Sequence, residues 1–144
     1  MIHVEINVEI GAPPDRVFAF ISNFENNPTW QGGMIEAHFT SVGALQVGST
    51  YSQTAHFLGK QIESRFEVLE FEPGHLVKAS TVTSTFPITF TRIVNPIPVG
   101  SAVTAIVEGD ATGLFKLAEP LMARKVRKSV AKDYSTLKEM LESD

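Results

Sequence analysis

Gly113 to Leu141 reads GLFKLAEPLMARKVRKSVAKDYSTLKEML, and the way this stretch distributes its apolar residues decides the fold. From Met122 onward, Met122, Val126, Val130, Leu137 and Leu141 fall within one face at about 100° per residue, with Tyr134 beside them. Arg124, Lys125, Lys128, Lys132 and Glu139 point elsewhere and keep the other face wet. Upstream, Leu114, Leu117 and Leu121 form a second stripe on nearly the opposite side. Pro120 falls within it. A proline there cannot donate to residue 116 and crowds its carbonyl, so the spacing predicts a kink or break near 119–121. The expectation is a short lead-in turn and then one long helix with a single apolar face. Such a face needs a partner surface, and the preceding chain supplies one made of strands.

From Ile35 to Thr112 the period is two. Ile35, Ala37 and Phe39 make one strand, and Gly43 to Gly48 connects it to the next. There Tyr51, Gln53, Ala55 and Phe57 share a face opposite Ser52, Thr54 and His56. Leu58-Gly59-Lys60 reads as a tight turn. Ile62, Ser64, Phe66 and Val68 then alternate with Glu63, Arg65 and Glu67, until the phase slips at Leu69-Glu70-Phe71, the mark of a bulge. Pro73-Gly74 turns the chain. Leu76–Val82 is a further strand; Phe86, Ile88 and Phe90 alternate towards Ile93; Asn95 to Gly100 reads as a loop; and Val103, Ala105 and Val107 make the last strand.

At the other end Ile2, Val4, Ile6, Val8 and Ile10 alternate with polar residues, a half-buried strand. Gly11-Ala12-Pro13-Pro14 ends it. The prolines and Asp15 then open a helix, where a missing N–H costs nothing and a carboxylate suits the dipole. Val17, Phe20, Ile21 and Phe24 give that helix its buried side. Asn26-Asn27-Pro28 stops it, one further turn leads to Trp30, and Gln31-Gly32-Gly33 is a loop. A strand, two short helices, six consecutive strands and a long C-terminal helix define an α+β fold. Its curved, seven-stranded antiparallel sheet wraps around that helix.

The 144 residues read as a single domain over 1–144, with 43% apolar and 19% charged residues, large enough to bury a core without staples. The absence of cysteine excludes disulfides and thiolate metal sites. Met1 runs straight into the first strand, so no signal peptide is expected, and no apolar run reaches membrane-spanning length. A cytoplasmic protein with no integral membrane association is the expectation. The net charge of −4 conceals an asymmetry: 5 Lys+Arg face 11 Asp+Glu up to residue 115, against 7 and 5 beyond it. The cluster Arg124-Lys125 and Arg127-Lys128 reads as the solvated face of an amphipathic helix rather than a patch for phosphate or RNA, and no nucleic acid is expected.

The chain resembles the START-like, or helix-grip, superfamily (the SRPBCC group), nearest to its bacterial polyketide cyclase/dehydrase-like members. The resemblance covers essentially the whole sequence. It is carried by Ile10 to Phe18, Asn23-Phe24-Glu25 through Pro28-Thr29-Trp30, and Val47-Gly48-Ser49-Thr50-Tyr51. Glu67 to Pro73-Gly74 and the closing helix from Gly113-Leu114-Phe115 with Leu121-Met122-Ala123-Arg124 add to it. It implies a cavity between sheet and C-terminal helix that holds a hydrophobic ligand. It supplies no short catalytic motif to carry over.

The residues themselves add little catalytic machinery. His3, His38 and His56 fall on the polar face and His75 in a turn; no two are spaced as metal ligands, so neither a metal nor another cofactor is expected. No nucleophile elbow, phosphate-cradling glycine loop or zinc-protease motif occurs. The strands should line the cavity with Tyr51, Gln53, Phe57, Ser64, Phe66 and Ile88, and with Phe39, Phe86, Phe90 and Arg92. Trp30 lies near one end, and Met122, Val126 and Val130 cover it from the helix. A cyclase could use a phenol and an arginine to stabilise an enolate, but Tyr51 and Arg92 read more simply as strand residues whose tips snorkel to water. The amide of Gln53, on an apolar face, must find a partner. The leading reading is a non-catalytic binder of a lipid-like or aromatic small molecule, in a monomer or homodimer. A polyketide cyclase or dehydratase is the alternative, and a macromolecular partner at the basic helix face a weaker one.

Overall fold

The computed structural model describes residues 2–57, 59–109 and 119–143, and their seven strands form one curled antiparallel sheet. Strand β1 (Ile2–Ile10) is followed by helix α1 (Pro14–Ser22), a 3-10 turn (Phe24–Asn26) and the single-turn helix α2 (Asn27–Trp30). Then come β2 (Met34–Phe39), β3 (Thr50–Phe57), β4 (Lys60–Glu72), β5 (Leu76–Thr83), β6 (Ile88–Ile97) and β7 (Gly100–Gly109). Helix α3 (Glu119–Glu142) closes the chain. Strands β2 to β7 pair in sequence as a meander, and β1 pairs with the free side of β7.

Alternation sets the faces. Ile2, Val4 and Ile10 of β1 are buried while His3, Glu5 and Glu9 are exposed. In β4, Phe66 and Val68 are buried and Glu63 and Arg65 exposed. The phase slip is a bulge: Val68 pairs with Ala79 and Glu70 with Lys78, so Leu69 is the extra residue and turns out to solvent. The segment expected as a loop at 95–100 is instead ladder. β6 runs to Ile97, which pairs with Gly100 across the two-residue turn Pro98-Val99. The β5 ladder ends at Ile93, so the missing N–H of Pro96 faces an edge with no strand to receive it. Phe86, expected in a strand, lies in the connection before β6, where Ser84 Oγ accepts its backbone N–H.

Pro14 takes the first position of α1 and Asp15 its first turn. The buried side carries Val17, Phe18 and Ile21, with Phe18 stacked on Phe71 at 6.2 Å, where the sequence pointed to Phe20, which is only half-buried. The described part of α3 begins at Glu119, with Pro120 as its second residue. The upstream stripe of Leu114 and Leu117, with Gly113 and Phe115, and the turn residue Leu58 lie outside the described residues. Along α3, Met122, Tyr134, Leu137 and Leu141 are buried, whereas Arg124, Lys125, Arg127 and Lys128 are all exposed. The C-terminal end of α3 is tied to the end of β1. Lys138 Nζ donates to Glu9 O at 2.6 Å, and Glu142 Oε2 accepts from Gly11 N at 2.8 Å.

Val126 and Val130 are half-buried, and each packs against a different part of the core, as the apolar face of the helix predicts. The core is divided. A main cluster fills the space under α1 and the C-terminal half of α3. A smaller one joins Ile2, Val4 and Met122, with Phe57, Phe86 and Val126 against it.

Candidate ligand cavity

A cavity of about 210 Å³ opens between the concave face of the sheet and the middle of α3, with walls drawn from both clusters. Of the residues picked out by strand phase, Tyr51, Gln53, Phe57, Ser64, Phe66 and Ile88 line it, as do Phe86, Phe90 and Arg92; Val126 and Val130 face it from α3. Three do not. Trp30 sits behind the wall, edge-on to Tyr134 at 4.9 Å. Phe39 lies beyond it against Phe24 and Tyr51. Met122 is buried with Ile2 and Val4 in the smaller cluster. Strand and helix phase identify the inward face but not how far along it the space extends.

The apolar end is formed by Ile2, Phe57, Ile62, Phe86, Val107 and Val126. The polar end is built around Arg92, in the middle of β6. Its cross-strand neighbours are Val77 and Ala105, short side chains that leave it room. The side chain does not snorkel: it is 4% exposed. Its Nη1 donates to Ile21 O at 2.8 Å and to Asn27 Oδ1 at 3.2 Å. The guanidinium carbon lies 4.7, 5.0 and 5.8 Å from the ring centres of Phe90, Trp30 and Phe24, cation–π contacts strengthened by desolvation. Asn27, 1% exposed, also reaches Gln53 Oε1 from its Nδ2 at 3.5 Å, and is the partner that the Gln53 amide required.

Tyr51 is likewise buried, its ring stacked on Phe24 at 4.3 Å and Phe66 at 4.9 Å. Its hydroxyl meets no hydrogen-bonding group among the described residues. Burial pushes this phenol far up, against a smaller opposing pull from Arg92, so it stays protonated and can donate. Tyr134 is raised by the same cause, and its hydroxyl interacts with Arg92. Asp133, half-buried on the cavity wall, accepts from Gly32 N at 3.0 Å. Burial raises its carboxyl, while the Gly32 bond and the charges of Lys132 and Arg92 hold it down less strongly.

Sequence reasoning missed Asn27 and Asp133; it read Gln31-Gly32-Gly33 as a loop but not the contacts that fix it. Gln31 to Gly33 closes one side of the cavity, held to α3 by Asp133 and to β3 by the bond from His56 N to Gly33 O at 2.6 Å. A Cβ on Gly33 would stand 2.9 Å from His56 O, so the close approach requires glycine. The adjacent glycines were the available signal. His3, His38 and His56 are exposed, and among the described residues no group of His, Asp or Glu could hold a metal. No helix among them is long and apolar enough to cross a membrane.

A curled antiparallel sheet gripping a long C-terminal helix defines the START-like, helix-grip class of fold. Within that class, the chain belongs to the polyketide cyclase / dehydrase and lipid transport family, whose sequence profile matches residues 1–142. Solved structures share the fold at low identity. TTHA0849 from Thermus thermophilus is 16% identical with a TM-score of 0.84, covering 98% of this chain and 97% of that one. A START superfamily protein from Mycobacterium smegmatis is 11% identical with a TM-score of 0.82, covering 99% of each chain. The di-domain ARO/CYC BexL from the BE-7585A biosynthetic pathway is 18% identical with a TM-score of 0.74; the match covers 96% of this chain and 46% of BexL. Among curated proteins, none matches the chain.

Proposed function

We propose that the protein binds a small hydrophobic molecule in the space between sheet and α3, without transforming it. The observation that carries this reading is the cavity: about 210 Å³ with aromatic and aliphatic walls at one end and a few converging polar groups at the other. Its size bounds the ligand. An engineered apolar cavity of about 150 Å³ holds benzene, and pockets for drug-sized ligands run from about 300 Å³ upward. One ring with a short substituent, or a short acyl chain, therefore fits without displacement of α3 or the Gln31–Gly33 loop. Burial would supply roughly 25 cal/mol per Å² of apolar surface before ordering costs.

Titration with a hydrophobic fluorescent probe, followed by displacement with aromatic and short fatty ligands, tests this. Saturable uptake is expected, and Gln53→Leu should alter which ligands compete while leaving apolar uptake largely intact. Absence of saturable binding by the wild type would mean that phenylalanine side chains fill the space in solution.

One observation favours a second reading, a cyclase or dehydratase. A phenol donor and a guanidinium stand at the same end of the cavity, the arrangement that could stabilise an oxyanion forming on a substrate carbonyl. Fold likeness to the ARO/CYC protein is compatible with it. Turnover of a polyketide mimic that is lost in Tyr51→Phe would establish this reading over the first.

A further inference from the structure

The polar end of the cavity carries an unbalanced charge. Arg92 is 4% exposed, yet every acceptor that its guanidinium reaches is neutral: the Ile21 carbonyl, the Asn27 amide oxygen and the Tyr134 hydroxyl. Among the described residues no carboxylate comes within ion-pair distance of it. Aromatic faces soften the desolvation of a guanidinium but do not neutralise it, whereas an anion does both. Asp133, the one acidic group among the described residues of the cavity wall, is engaged by the Gly32 N–H and acts on Arg92 only at longer range. Within electrostatic reach of the guanidinium is a second buried donor, the Tyr51 hydroxyl, 1% exposed as a residue and without a hydrogen-bonding partner among the described residues.

A cation and a converging hydroxyl donor at one end, with an aromatic and aliphatic enclosure at the other, select for an amphipathic anion. We propose that the ligand is a small monocarboxylic acid, its carboxylate held by Arg92 and Tyr51 and its single ring or short hydrocarbon body lodged among Phe57, Phe66, Phe86 and Val126. This rests on the reading of the cavity as a binding site. A planar carboxylate matches the guanidinium fork and can accept from the phenol in addition. A neutral ketone or alcohol would leave the buried charge uncompensated. A phosphate would bring a second negative charge close to Asp133 with no second cation among the described residues of the wall to meet it.

The test is a matched pair of ligands, 3-phenylpropionate and 3-phenylpropionamide, titrated into the wild-type protein near neutral pH by calorimetry. The hydrophobic fluorescent probe is titrated in parallel. The two ligands share shape and apolar area and differ in charge, so the acid should bind at least about tenfold more tightly, the lower end of what a hydrogen bond to a charged group contributes. Equal affinities, or tighter binding of the amide, would overturn the carboxylate while leaving the cavity reading in place. Uptake of the probe alone would do the same, and failure of all three would overturn both. In Arg92→Gln the preference for the acid should disappear; its survival would overturn the assignment. Arg92 also ties down Ile21 and Asn27, so Tyr51→Phe, which keeps the stacked ring, is the companion variant. A loss of acid affinity of about fivefold is expected there, and an unchanged affinity would overturn the paired-donor site.

Discussion

Truncating α3 at two positions, Leu137→Ala and Val130→Ala, should separate the part of the helix that packs from the part that roofs a cavity. Leu137 is completely buried in the main cluster. Its truncation leaves a new void as well as losing transfer free energy, about 2–5 kcal/mol for such substitutions. For 144 residues the unfolding entropy near the midpoint is about 0.3 kcal/mol/K, so a 3 kcal/mol loss lowers Tm by about 10 °C. Val130 is half-buried and already borders about 210 Å³ of open space. Removing its methyls widens that space instead of creating one, and the cost should fall to about 1 kcal/mol, or about 3 °C. Calorimetric melts of both variants, with the probe titration repeated on Val130→Ala, measure the contrast. The valine variant should also admit ring substituents that the wild type rejects. Equal destabilisation by the two changes, with no widening of ligand range, would show that the middle of α3 is packed like its end and would refute the cavity argument.

Two further outcomes follow from the backbone and from charge. Gly100 has a φ of +142°, and a Cβ there would stand 2.5 Å from Ile10 O and 2.7 Å from Ala12 N, so Gly100→Ala should cost about 2–4 kcal/mol in urea unfolding. Gly74→Ala, at φ +77° with open space around it, should cost only about 1 kcal/mol, and a reversed order would contradict the packing of the β6–β7 turn on the end of β1. Asp133 has a folded-state pKa above its unfolded value, so the native state keeps that proton longer, and the group's contribution to stability declines as pH rises from the ordinary aspartate range through the raised value. Asp133→Asn, whose amide oxygen can still accept from Gly32, should remove that slope; a wild-type-minus-variant difference that stays flat with pH would contradict the assigned burial.

The elements whose pattern is local were legible in the sequence. β1 and β4 announce their faces by strict alternation, and the bulge at Leu69 by the one place where alternation slips. The 95–100 segment misled because two prolines and a glycine signal a loop, whereas Pro96 falls where β6 has outrun its β5 neighbour and no N–H is missed. In the site, strand phase correctly turned Tyr51, Gln53 and Arg92 inward, but it could not set their depth. Arg92 stays buried because its head is taken up by Ile21 and Asn27 and covered by the rings of Phe90, Trp30 and Phe24. The contacts that organise the polar end, Asn27 with Arg92 and Asp133 with Gly32, join residues 65 and 101 positions apart. No periodicity encodes such pairs; they arise only when the sheet curls and α3 crosses it.

The energetics of the cavity bear on why such an arrangement is kept. By the scaling found for core truncations, about 24 cal/mol per Å³, 210 Å³ of space among core side chains represents up to about 5 kcal/mol of packing not realised. That is comparable to the whole net stability of many domains, about 5–15 kcal/mol. A buried guanidinium with neutral partners and a buried phenol with none add to the deficit. Larger aliphatic residues at Val126 and Val130, or a leucine in place of Arg92, would remove most of it without altering the binary pattern of either element. Charge, donor and void meet in this half-open cavity, while Ile21, Val17 and Leu137 are fully buried under α1 and the C-terminal half of α3. Weak packing spread at random would not collect charge, donor and void at one place. Occupation by a ligand that carries both an apolar body and an acceptor offsets all three deficits at once, which is the physical case for a binding site here.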